Sequence, residues 1–306
     1  MRTRLPLLAA ATIAAAAPLD AQLADSARPH SSRLADPPGS LRFADVRLRT
    51  GVRLRYAEQG DTQGEAVVLL HGLADSWFSF SRVLPSLPSS LRVFALDQRG
   101  HGDSDRPASG YTVADYSEDV IAFLDAMRLQ QATIIGHSMG AFVAQRVAII
   151  SPDRVKRLVL IGGAATARNE VLLGLQQELA TLGDPLSADF LREFQYGTVH
   201  APIPATFMDR VIAESGKVPV RVMRGALDGL LASGDSSEVD AIRAPTLMLW
   251  GDRDAIFSQG DRLALRKAIP AGDLRVYAEI GHALHWEAPD RFVNDLLAFI
   301  ARSGTR

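Results

Sequence analysis

The chain reads as an α/β protein: a mostly parallel central sheet with helices on both faces. Three observations predict this. Largely apolar runs at residues 66–70, 91–96, 132–135, 158–161 and 246–250 have the length and composition of strands buried on both faces. Helical patterns at 113–127, 139–150 and 259–268 alternate with them, as crossover connections between parallel strands require. At 132–150 a β-branched run passes into a helical pattern within a few residues, and Gly136-His137-Ser138-Met139-Gly140 sits at the corner. A serine on so sharp a strand-to-helix turn has its hydroxyl lifted out of the sheet, near the first free N–H groups of the helix.

From the N-terminus, Arg2 and Arg4 precede an apolar run over 5–17, and Leu19-Asp20-Ala21 before Gln22 is an acceptable cleavage site. Residues 1–21 are expected to be a secretory signal peptide, with an uncleaved N-terminal anchor as the alternative. Residues 22–41 carry Pro, Ser, Asp and Arg without periodicity and are expected to be a disordered leader. The protein is therefore expected to be exported, with no stable membrane insertion once the signal is removed. A net charge of -2 gives no electrostatic case for nucleic acid or an anionic membrane. The absence of cysteine excludes disulfides and lipid attachment at a lipobox. Nothing in the sequence sets an oligomeric state.

Residues 43–48 and 52–58 alternate about Thr50-Gly51 as an antiparallel hairpin would. The strand at 66–70 follows, then a helix over 77–84, the strand at 91–96, and a helix over 113–127 capped by Thr112. After the serine corner come strands at 158–161 and 246–250, a helix over 259–268, a short strand at 274–278 and a last helix over 289–301. Residues 42–167 and 240–306 form the core, and 168–239 interrupt the alternation as a helical cap after the sixth strand. Helical pieces in the cap are read at 170–182, 188–196, 205–215 and 220–232, several ending at glycine. Apolar cap residues such as Leu175, Phe190, Phe194, Phe207 and Met223 either hold the cap together or line a pocket over Ser138; Trp77, Phe194, Phe207 and Met223 are the candidates for its wall.

Candidate chemistry gathers at the ends of the strands. The loop His71-Gly72-Leu73-Ala74-Asp75 can aim the Leu73 N–H at the mouth of the sheet, where with the Met139 N–H it would form an oxyanion hole. The His71 side chain is read as structural. The loop Asp97-Gln98-Arg99-Gly100-His101-Gly102-Asp103-Ser104 is expected to be a hydrogen-bonded turn bracing the serine corner, with a metal site of Asp97, His101 and Asp103 as the alternative. Gly251-Asp252-Arg253-Asp254 and Gly281-His282-Ala283-Leu284-His285-Trp286-Glu287 follow the last two strands.

These motifs, in this order, resemble those of the α/β-hydrolase family over residues 43–301. The resemblance implies a triad of Ser138, Asp254 and His282 in the order nucleophile, acid, base. His282 directly follows a glycine, as the family's histidine does; His285 and Glu287 would hold the next loop, and Asp252 would close its turn. It also implies a serine hydrolase of carboxylic esters or lactones, of small to medium and largely apolar substrates, through an acyl-enzyme on Ser138 and with neither metal nor organic cofactor. Serine at 138 argues against the family's dehalogenases and epoxide hydrolases, which use aspartate there. The resemblance extends to cofactor-free haloperoxidases, whose peracid chemistry would use the same serine, and two alternatives stay open: a carbon-carbon bond hydrolase of diketones with the same triad, and a hydrolase-fold binding protein without significant turnover.

Overall fold

Hydrophobic alternation sets the sheet. The computed structural model describes residues 40–233 and 236–303. The signal peptide expected at 1–21, and all but the last two residues of the expected leader, lie outside the described residues. Strands β1 (Arg42–Arg47), β2 (Arg53–Gly60), β3 (Glu65–Leu70), β4 (Leu91–Leu96), β5 (Ala132–His137), β6 (Val155–Ile161), β7 (Thr246–Gly251) and β8 (Asp273–Tyr277) form one sheet in the order β1-β2-β4-β3-β5-β6-β7-β8. β1 and β2 pair antiparallel, as does β2 with β4, and every other pairing is parallel.

The two faces are divided with the two-residue period of a strand. Val68, Leu70, Ile134, Leu158, Leu160, Met248 and Trp250 face one apolar layer. This layer holds α1 (Val113–Ala126), α2 (Met139–Ile150) and much of the cap. Val67, Leu69, Ile135, Val159, Ile161, Leu247 and Leu249 face the other, against Phe292, Val293, Leu296 and Phe299 of α9 (Pro289–Ser303). Burial of each such side chain stabilises the fold by about 1.5–3 kcal/mol. Thr112 and Asp115 form a reciprocal capping box at the start of α1, and Ser258 and Asp261 form one at α7 (Gln259–Ala268).

Between β6 and β7 lie α3 (Glu170–Thr181), α4 (Ala188–Tyr196), α5 (Ala205–Ser215) and α6 (Val220–Leu231). Asn169 and Ser187 cap α3 and α4 through their side chains, while Pro204 and Pro219 precede α5 and α6. α8 (Leu284–Glu287) is a single turn before α9. One expected helix takes a different form: residues 77–84 fold as 3₁₀ turns, Trp77–Phe80 and Leu84–Ser86. Ser76 caps the first by accepting from the Phe78 N–H. The Trp77 N–H is drawn to Asp97 Oδ1 at 2.7 Å, and Pro85 and Pro88 leave too little chain for α-helical hydrogen bonding.

Candidate active site

The serine corner is strained in the sense its sequence implies. Ser138 has φ +51° and ψ -118°, a conformation a non-glycine residue adopts only when its surroundings enforce it. The Ser138 N–H donates to Ile161 O at 2.9 Å, and the Ala141 N–H to Ser138 O at 2.8 Å. The flanking glycines are sterically required: a Cβ on Gly136 would lie 2.1 Å from Gly140 O, and one on Gly140 would lie 2.3 Å from Leu70 O. Strand β5, helix α2 and the end of β3 therefore meet at contact distances open only to glycine, and Ser138 is left half-buried at the mouth of a cavity of about 330 Å³.

His282 lies on the same cavity wall and is 2% exposed. Its Nδ1 is 2.9 Å from Asp254 Oδ2, while Asp254 Oδ1 accepts the Ile256 and Phe257 N–H groups at 2.8 and 3.0 Å. Burial works against the Asp254 charge, but His282 and these two amides outweigh it and hold the carboxyl below its usual range. The other ring nitrogen, Nε2, is buried and makes no hydrogen bond among the described residues. The second motif histidine is elsewhere: His285 Nε2 is 3.1 Å from Ser79 Oγ, away from the cavity wall, and burial pushes its pKa well below that of a free imidazole. Asp252 Oδ1 accepts the Glu279 N–H at 2.7 Å.

The histidine loop is tied to the cap. The Thr198 carbonyl, just past α4, accepts the N–H groups of His282 and Ala283 at 2.9 and 3.1 Å. The Glu287 carboxylate accepts from Gly281 N at 3.0 Å, His200 N at 2.9 Å and Ala201 N at 2.5 Å.

Leu73 lines the cavity, and the Met139 amide opens α2 directly after Ser138; neither N–H has a hydrogen-bond partner among the described residues. The loop bearing Leu73 is braced from β4: Gln98 Nε2 donates to His71 O at 2.8 Å, and the Gln98 N–H to His71 Nε2 at 3.1 Å. The turn that starts at Asp97 therefore supports the Leu73 side of the site rather than the serine corner itself. Asp97 accepts the Trp77 and Asp103 N–H groups, and burial raises its carboxyl to about 6. Among the described residues no three His, Asp or Glu side chains converge to hold a metal ion.

Of the residues expected to form the pocket wall, Phe194 lines the cavity and the other three do not. Trp77 packs edge-on against Phe43 and Phe78. Phe207 stacks on Phe78 and meets Trp286 from behind. Met223 is fully buried among the core residues on the α1 and α2 side of the sheet. Helical periodicity gave each a buried face without saying which neighbour covers it. Sequence reasoning also missed Asp75, His137, Gln195 and Thr198 as lining residues. Asp75 accepts from Ser79 Oγ at 3.3 Å and Gln195 Nε2 at 3.1 Å, and lies 3.8 Å from His137 Nδ1. Its place in the loop after β3 was the one available signal, since such loops border the mouth of the sheet.

The sequence profile of the alpha/beta hydrolase fold matches residues 65–289. A 2-hydroxymuconate semialdehyde hydrolase of Pseudomonas putida is 32% identical over 273 residues, covering 84% of this chain and 93% of that protein. Solved structures with the same fold include an enol-lactonase from Burkholderia xenovorans LB400, with a TM-score of 0.73 and 22% identity, over 84% of this chain and all of that one. An esterase from Exiguobacterium antarcticum superposes with a TM-score of 0.75 at 20% identity, over 84% of this chain and 99% of that one. Sheet order, serine corner and sequence profile agree that the chain belongs to the α/β-hydrolase fold family.

Proposed function

We propose that the protein is a serine hydrolase of carboxylic esters or lactones, with Ser138 as nucleophile, His282 as base and Asp254 as the acid that orients it. The observation that carries this reading is the Asp254–His282 pair at 2.9 Å, with the free Nε2 of His282 on the wall of the cavity that Ser138 also lines. Asp254 fixes the tautomer in which Nδ1 carries the proton, leaving Nε2 as acceptor. As Ser138 Oγ attacks the carbonyl carbon, its proton passes to Nε2 and the C=O electron pair moves to oxygen. The Leu73 and Met139 N–H groups receive that oxyanion. Collapse breaks the C–O bond and Nε2 gives its proton to the departing alcohol; a water then gives its proton to Nε2 as it attacks the acyl carbon, and collapse breaks the bond to Ser138 Oγ, which takes that proton back from Nε2 as the acid leaves.

Largely apolar walls, with Leu172, Leu175, Phe194, Leu230 and Ile256 among them, suit the hydrocarbon part of small to medium acyl groups. The relative from Pseudomonas putida, named for a muconate semialdehyde, favours a second reading, a carbon-carbon bond hydrolase using the same residues. Hydrolysis of a p-nitrophenyl ester series from acetyl to dodecanoyl, beside Ser138→Ala, separates them. Turnover should peak among the shorter acyl chains and fall to background in the variant. Folded wild type inert on every ester would reject the esterase reading in favour of diketone cleavage or binding without turnover. Export by the signal at 1–21 belongs to the same proposal, and a secreted mass starting at Gln22 checks it.

A further inference from the structure

The walls of the cavity carry charge of one sign. Resting on the serine-hydrolase reading above, we propose that this site takes esters bearing a cationic acyl group in preference to neutral ones and rejects those bearing a carboxylate. Among the described residues three acids line the cavity, Asp75, Glu178 and Glu193, and no lysine or arginine does. Glu178 on α3 and Glu193 on α4 are exposed, and neither forms an ion pair among the described residues.

Asp75 is the buried member, 3% exposed. The basic groups nearest to it are histidines, and burial pushes both His137 and His71 below the ordinary imidazole value. Among the described residues no lysine or arginine pairs with it. Phe190 and Phe194 line the same cavity, stacked with centroids 6.2 Å apart and planes at 18°. Aromatic faces attract cations, most of all quaternary ammonium, through their quadrupole. A cleft with low-dielectric walls and acids of one sign focuses the potential, drawing in cations and repelling anions. An anionic substrate would also have to shed its hydration beside Asp75 with no basic side chain to replace it.

The test compares kcat/KM for three p-nitrophenyl esters of one length: γ-trimethylammoniobutyrate, its uncharged tert-butyl isostere, and the half-ester of glutarate. At low ionic strength the order should be cationic, neutral, anionic, with about tenfold or more between the extremes. High salt should compress that ratio, because exposed charges are screened within a Debye length of roughly 10 Å or less. Glu178→Gln/Glu193→Gln, checked for folding by its melting curve, should compress it too. Equal values for all three esters, a glutarate ester that is fastest, or a ratio indifferent to both salt and the double variant would overturn the inference. Each of those results leaves the esterase reading standing. No turnover of any of the three, the uncharged isostere included, removes that reading and this inference with it.

Discussion

Glu287 is the residue whose removal tests most sharply how the candidate base is held. Its carboxylate receives three backbone N–H groups: Gly281, directly before His282, and His200 and Ala201 in the cap. A hydrogen bond to a charged acceptor contributes about 1.5–3 kcal/mol. Gly281 is buried, Ala201 half-buried and His200 exposed, so water replaces part of what Glu287→Ala removes. The expected loss is about 3 kcal/mol, a large share of the roughly 5–15 kcal/mol that holds a typical domain together. Activity should fall further than stability alone requires. Releasing Gly281 lets the imidazole drift from Ser138, and a displacement of about 1 Å costs on the order of a hundredfold in rate. Glu287→Gln keeps one acceptor oxygen and should fall between. Guanidinium denaturation read beside ester kcat and KM checks both parts, with the loss expected in kcat. An alanine variant within about 0.5 kcal/mol of wild type and within twofold in kcat would refute the idea that this carboxylate positions the histidine loop.

Two further outcomes are expected. Asp254→Asn should keep the fold while kcat drops by about 10⁴, because an amide at this position favours the wrong imidazole tautomer; steady-state kinetics on a short-chain ester would reveal it. Stability should fall steeply in acid. Burial holds His71 and His101 neutral in the fold, pushing them from an ordinary 6.5 to about 4 and about 3. Their contribution is complete above pH 6.5 and is lost as pH falls, since the unfolded chain binds protons that the fold refuses, at about 1.4 kcal/mol per pH unit for each histidine. Asp97, raised to about 6, has the opposite sign: below that pH the fold takes up its proton first and offsets one histidine. Denaturant midpoints measured between pH 7 and 4 should therefore decline throughout, and a flat profile would contradict the buried neutral state of these histidines.

The sheet was legible because apolar strands of five or six residues between helical segments admit few arrangements, and because Gly136 and Gly140 leave a mark that only a close approach of backbones explains. The order of Ser138, Asp254 and His282 could be read only through resemblance, since nothing local in the sequence says that residues 254 and 282 meet. Three kinds of information were not legible. Residues 77–84 have a helical hydrophobic pattern, yet the Trp77 amide is claimed by Asp97, a partner twenty residues away. The cap residues were harder still: Phe194 and Phe207 look alike in a helical pattern, and only packing against Trp286 sends one behind the wall while the other stays on it. The Thr198 carbonyl left no trace in the sequence, because a backbone acceptor carries no residue signature.

That carbonyl also restricts how the molecule can admit a substrate. The backbone just past α4 grips the N–H groups of His282 and Ala283, so a cap swinging away as a rigid lid would break both bonds and carry off the support of the imidazole. A path that leaves both bonds in place runs past the rim, where Val171, Glu178 and Glu193 stand exposed on α3 and α4.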